Sequence, residues 1–158
     1  MNTVANPFNL AEQIGQIVPN VFQTMLALPA TSGPAGELTK SARISGTVGV
    51  AGDIVTGAIY LHLPEALAVQ AARIMLGLPE NEMAADGDVN DIVGELTNMV
   101  GGGLKSSLCN AERECAMSTP SIIRGAYAIE VPQDLRVEVF YFNCLEHRLA
   151  VEVHLKLD

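Results

Sequence analysis

Asp91, Glu95 and Asn98 are the residues of this chain best placed by type and spacing to do chemistry. They stand four and three residues apart, so at about 100° per residue they fall on one stripe of a helix. Gly102, four residues further on, continues that stripe. A carboxylate in such a stripe can hold a cationic group of a partner through charge complementarity. A carboxamide carries both a donor and an acceptor and can orient a water molecule without titrating near neutral pH. Asp91 and Glu95 can also be taken as the paired acids of a small-ligand enzyme, which would need a concave pocket around them. Taken alone, a Glu and an Asn three apart on a helix mark a solvated face in most proteins.

The helix that must position them is predicted over residues 89–108, with Asp86 or Asp88 as its cap. Val89, Ile92, Val93, Leu96, Met99, Val100 and Leu104 gather on the side away from the stripe. That apolar side is expected to pack on a sheet, leaving Asp91, Glu95 and Asn98 to solvent or a partner. Gly94, Gly101, Gly102 and Gly103 lie inside the pattern, each costing roughly 1 kcal/mol relative to Ala. Gly102 shares the stripe, where it would let another surface approach the backbone. Gly101 and Gly103 point elsewhere and suit close packing within the domain. The other reading of the glycine triplet is a stop signal that ends the helix early.

The rest of the chain supplies a frame for this helix. Residues 8–28 show an amphipathic helical pattern that Pro19 is expected to kink or divide. Residues 29–36 (PATSGPAG) are expected to form a loop. Residues 43–50 and 55–63 are rich in Ile, Val, Thr and Tyr around an Ala51-Gly52-Asp53 turn, which predicts a β-hairpin. Pro64 and Glu65 open a helix that ends at Leu76, with Gly77 as its C-terminal cap. Residues 122–129, 135–143 and 148–157 predict three further strands, the last two forming a second hairpin across Cys144-Leu145-Glu146-His147. Helix, hairpin, two helices and three strands suggest one α+β domain over residues 1–158, an antiparallel sheet with helices mainly on one face.

With its surroundings, the helix resembles that of the CheC–CheX–FliY family of chemotaxis phosphatases, and within it the CheX branch. The family pattern is an acidic residue or Ser, three residues, Glu, two residues, Asn, about twenty-two residues and then Pro. Asp91, Glu95 and Asn98 match, and Pro120 follows after the twenty-one residues 99–119, one short of the pattern. Gly94-Glu95-Leu96-Thr97-Asn98-Met99-Val100-Gly101-Gly102 also looks like the family's helix. The family's second motif on the N-terminal helix is absent, since Gln13 and Gln16 stand where Glu and Asn would be needed, which looks like CheX.

The resemblance implies a CheC-like fold and a phosphatase acting on the aspartyl phosphate of a response regulator such as CheY. It implies that Glu95 binds the regulator's active-site lysine and that Asn98 positions the attacking water. Asp91, Gly102 and Pro120 would support the helix, the docking surface or the approach to the next strand. An acyl phosphate is already activated, so the main need is a water held in line with the leaving oxygen. The Mg²⁺ would be held by the regulator and not by this chain. A homodimer formed through sheet edges is also implied. The alternative is a non-catalytic module of the same fold, docking a regulator or a flagellar switch complex.

Composition narrows the setting. The net charge of −9 argues against a general affinity for nucleic acid or for anionic lipid. No stretch reaches the ~18 apolar residues of a membrane span. The first Lys is Lys40, so the N-terminus lacks the positive flank of a secretory signal. Cys109, Cys115 and Cys144 form no CxxC pair and suit free thiols in a reducing cytoplasm. His62, His147 and His154 have no mutual metal spacing and are expected to be ordinary surface or core residues. The run from Gly101 to Ser106 lacks the spacing of a phosphate loop, and the acids Glu80, Glu82, Asp86 and Asp88 lack that of a calcium loop.

Overall fold

The computed structural model describes residues 8–38, 42–125, 127 and 129–157. Its elements run α1 (Leu10–Leu26), β1 (Ala30–Ser32), β2 (Arg43–Ala51), β3 (Val55–Pro64), α2 (Glu65–Leu76), α3 (Asp86–Asn110), β4 (Ala116–Met117), β5 (Ser121–Arg124), β6 (Arg136–Cys144) and β7 (His147–Leu157). All strand pairings are antiparallel, in the order β1-β6-β7-β3-β2. The outer edge of β2 is shared, with β4 against Val50 and Ala51 and β5 against residues 44–47.

Alternation along the strands sends one set of side chains toward the helices. Ile59 pairs with Val153 and Leu61 with Val151, and all four are fully buried. Together with Ile44, Val48 and Leu63 they form the floor on which Ile14, Val18 and Phe22 of α1, Leu67 and Ala71 of α2, and the apolar side of α3 pack. This is the expected α+β arrangement, with helices on one face of an antiparallel sheet.

Several local expectations are corrected. Of the two expectations for Pro19, division is overturned, since α1 runs through it as one helix. Val18, Val21 and Phe22 are buried beside it, and that packing offsets the cost of an interior proline, about 3 kcal/mol for the lost hydrogen bond and the ring clash together. The cap of α3 is Ala85, with no side-chain capping bond, and Asp86 and Asp88 lie in the first turn instead. There their charges still complement the helix dipole. The glycine triplet does not stop α3, which continues to Asn110. Val93, Leu96, Val100 and Leu104 are fully buried along its inner side. Each contributes about 1.5–3 kcal/mol by burial, against about 1 kcal/mol lost at each glycine, so tertiary packing decides the helix.

The strands differ mainly in length. β1 falls inside the expected loop, and β4 lies where no strand is expected. β5 stops at Arg124, well short of Ile129, and Ala126 and Ala128 lie outside the described residues. β6 and β7 extend to Cys144 and His147, so the hairpin turn is only Leu145-Glu146, with Leu145 at φ 56°. Among the described residues no helix is long and apolar enough to cross a membrane.

Candidate functional site

α3 is the element that carries the stripe, and its inner contacts fix how the stripe is presented. Asp91, Glu95 and Asn98 are all exposed on its outer side. Among the described residues none of the three has a side-chain hydrogen bond or ion pair, whereas neighbouring Asn90 and Thr97 are both engaged. The stripe is therefore solvated and its side chains are unengaged by the described residues. Met99, expected on the apolar side, is 36% exposed. It lies about 80° round from Asp91, close enough to the stripe to miss the core.

Small residues let α3 sit low on the sheet. Thr97, fully buried, donates from Oγ1 to the Val93 carbonyl at 2.7 Å and occupies the space where a Cβ on Gly46 would stand. A Cβ on Gly101 would meet Val48 Cγ2 at 2.7 Å and Met117 Sδ at 2.8 Å, and one on Gly103 would meet Ile17 at 2.9 Å. The expectation of close packing at Gly101 and Gly103 is met. Gly102 has nothing within 4 Å of its missing Cβ, so it opens outward beside Asn98.

Pro120 reaches the same helix from the other end of the motif. Its Cγ lies 3.6 Å from the Cβ position of Gly94, with Ile122 Cδ1 at 3.7 Å. The fold thus brings Asp91, Glu95, Asn98, Gly102 and Pro120 to one surface, the first four along the outer side of α3 and Pro120 on its flank. Among the described residues, Asp91 and Glu95 line none of the clefts found at the start of α1, beside Arg73 of α2, and over His62 and Glu152.

These contacts separate two glycines that look alike in sequence. Gly46→Ala is expected to destabilise the fold by about 1–3 kcal/mol, because Thr97 has no room to withdraw. Gly102→Ala is expected to stabilise it by about 1 kcal/mol, since the new methyl meets nothing and the helix gains propensity. Urea denaturation of the two variants reads both signs.

A second polar cluster, not foreseen from sequence, sits on the sheet face away from the helices. Ser45 Oγ lies 2.7 Å from His62 Nδ1, and His62 Nε2 lies 3.1 Å from Glu152 Oε1. His154 Nε2 is 2.6 Å from the other carboxylate oxygen, and Tyr60 packs against both imidazoles. Ser45, His62 and His154 are almost completely buried, so the cluster satisfies its own polar atoms and offers no accessible nucleophile. The hydrogen bond from His62, reinforced by that from His154, holds the Glu152 carboxyl below the usual carboxylate range, although burial opposes it. Burial raises the Tyr127 phenol above the usual tyrosine range. Among the described residues no group of three or more His, Cys, Asp or Glu is arranged to hold a metal ion. Cys109 is exposed, whereas Cys144 is buried and its thiol is raised by that burial.

The sign of the Glu152 contribution follows from its depressed value in the folded state. Its stabilisation is fully present above the unfolded-state pKa near 4.3 and is lost as pH falls through the lower folded value. Wild-type stability is expected to fall on acidification from pH 5 toward pH 3. Glu152→Gln is expected to be about 1–3 kcal/mol less stable at pH 7, because an imidazole N–H loses its acceptor, and to be flatter across that acid window. Urea midpoints across the pH series measure both.

A family model described as chemotaxis phosphatase CheX matches residues 44–143, which span the hairpin, α2, α3 and most of β6. No curated protein matches at a significant level. Among solved structures, a chemotactic CheC-like protein from Shewanella oneidensis is 29% identical, with 92% of this chain and 96% of that chain covered and a TM-score of 0.72. Chemotaxis protein CheX from Vibrio vulnificus is 24% identical, with 98% and 100% covered and a TM-score of 0.79. A chain in the CheX–CheY–BeF₃–Mg²⁺ complex from Borrelia burgdorferi is 17% identical, with 94% and 99% covered and a TM-score of 0.73.

Proposed function

The chain belongs to the CheX family of chemotaxis phosphatases, and from that premise we propose that it removes the aspartyl phosphate of a CheY-like response regulator. The observation that carries the reading is the outer side of α3, where exposed, unengaged Glu95 and Asn98 stand beside the open Gly102. A similarly folded chain occurs in a complex with CheY, BeF₃ and Mg²⁺. That likeness is one of fold, and the partner class is carried to this chain as part of the proposal.

Each residue has a distinct task. Glu95 supplies a carboxylate to the lysine of the regulator's active site, and complementary charge sets the register of the complex. Asn98, three residues on, extends toward the phosphoryl group, where its carboxamide oxygen accepts a hydrogen bond from the O–H of the attacking water and aligns it for in-line attack. Gly102 leaves the backbone low enough for the regulator to close on the helix. Asp91 adds negative charge one turn earlier, and Pro120 braces the flank of α3 at Gly94. Mg²⁺ belongs to the regulator, where it neutralises charge on the phosphoryl oxygens. This chain thus contributes half of a composite site. A homodimer through sheet edges is part of the same reading, and the outer edges of β1 and of β4 with β5 are those available.

The test is phosphate loss from a phosphorylated regulator with and without the wild-type chain, beside direct measurement of complex formation. Binding with faster release supports the phosphatase. Binding with unchanged release selects a docking module of the same fold.

A further inference from the structure

Arg124 closes β5 and reaches across the flank of α3. Its Nε donates to Asn90 Oδ1 at 2.7 Å, and its Nη2 donates to the Asp86 carbonyl at 3.1 Å. The Asp86 and Glu65 carboxylates lie 3.8 and 3.9 Å from the guanidinium. Ion pairs of that length between partly exposed groups contribute little. A cation beside the first turn of a helix is, moreover, opposed by the helix dipole. Helix stability therefore does not account for its placement. The directional part of the arrangement is the fork, which joins a side-chain oxygen to a backbone carbonyl one turn away.

The contact continues along the helix. Pro120 and Ile122 cover Gly94, one turn beyond Asn90. Residues 120–124 thus touch α3 at residues 86, 90 and 94, a single row on its flank. β5 is itself held in register on β2, from Ser121 opposite Thr47 to Arg124 opposite Ile44. The close contacts that seat α3 lie from Thr97 onward, against Gly46, Val48, Met117 and Ile17. At its first turns the burial of Val89 and Val93 is non-directional, and the hydrogen bonds to Asn90 and Asp86 supply the direction. Asn90 immediately precedes Asp91, so its azimuth sets that of the whole stripe.

We propose that Arg124 is a positioning residue: by tying Asn90 and the first turn of α3 to β5, it fixes the helix rotation that aims Glu95 and Asn98 at the regulator. This rests on the phosphatase reading. Arg124 touches no reacting group. It acts by limiting the misalignment of Asn98, to which in-line water attack is steeply sensitive.

The experiment is steady-state phosphate release from an acetyl-phosphate-charged regulator by wild type, Arg124→Gln, Arg124→Lys, Asn90→Ala, Asn90→Asp and the double variant Arg124→Gln/Asn90→Ala. Arg124→Gln and Asn90→Ala are each expected to lower kcat by roughly tenfold, with KM changed by less than about twofold. The double variant falls no further than the weaker single, because the two residues act as one contact. Arg124→Lys, which keeps the charge and loses the fork, stays impaired, while Asn90→Asp, which keeps the acceptor, retains wild-type kcat. Independent, multiplying effects, or an unchanged kcat in Arg124→Gln beside an active wild type, would overturn the positioning role alone. A wild-type chain that leaves release unchanged overturns the phosphatase reading and this one with it.

Discussion

Asn98→Ala is expected to slow phosphate release from the regulator by roughly a hundredfold while leaving complex formation within about twofold of wild type. The reason lies in what the side chain does and does not touch. Asn98 is exposed and its side chain makes no hydrogen bond among the described residues, so truncation leaves no buried partner unsatisfied. Alanine also favours the helix. The fold, the height of α3 above Gly46 and the presentation of Glu95 are all retained. On the proposed reading, what is lost is the carboxamide that would hold water in line with an already activated acyl phosphate, a contribution realised in the transition state and not in binding. The effect should therefore appear in kcat and spare KM. Circular dichroism and a thermal midpoint close to wild type complete the measurement.

Glu95→Lys is expected to do the opposite and abolish the complex. The substitution places a cation against the regulator's lysine, and like charges brought together at an interface cost several kcal/mol. At least a hundredfold loss of affinity follows, since about 1.4 kcal/mol is a factor of ten. Glu95 is exposed and has no side-chain partner among the described residues, so the free protein is expected to bear the change without loss of stability. Glu95→Gln, which removes attraction without adding repulsion, should weaken binding less. Its deficit should also shrink as salt screens the wild-type interaction. Titration by calorimetry at low and moderate ionic strength checks affinity and salt dependence together. A binding defect at Glu95 beside a turnover defect at Asn98 would separate docking from chemistry along one turn of α3.

The outer side of α3 was legible because a helix of this length repeats its pattern several times. Asp91, Glu95, Asn98 and Gly102 fall together under any reasonable phase. Met99 departs from the expected apolar side because it stands at that side's border, where a small rotation moves a side chain from core to surface. The glycine triplet was ambiguous in sequence, since stopping a helix and packing it closely call for the same residue. Only the facing side chains decide, with Val48 and Met117 at Gly101, Ile17 at Gly103 and open space at Gly102.

The strands were legible in proportion to their length. β2, β3, β6 and β7 alternate over nine residues or more, whereas β1 and β4 have three and two residues, too few for a period of two to register. The least legible features were the non-local ones. Arg124 finds its partners 38 and 34 residues earlier, and His62 meets Glu152 across 90 residues of chain. Nothing in composition or periodicity brings such residues together. The buried histidines left a faint trace only, as polar residues alternating with aliphatic ones in strands otherwise suited to the core. Pro120 was visible through the family pattern, but its place against Gly94 was not.

On the proposed reading, this chain completes a catalytic site on its partner and then leaves to do so again. The most direct measurement is the decay of phosphorylated regulator after addition of the wild-type chain at substoichiometric amounts. The account predicts a decay rate that rises in proportion to the protein added, with many phosphates released per chain, and no such rise with Asn98→Ala. A decay rate unchanged by wild-type protein, under conditions where the complex demonstrably forms, would contradict it.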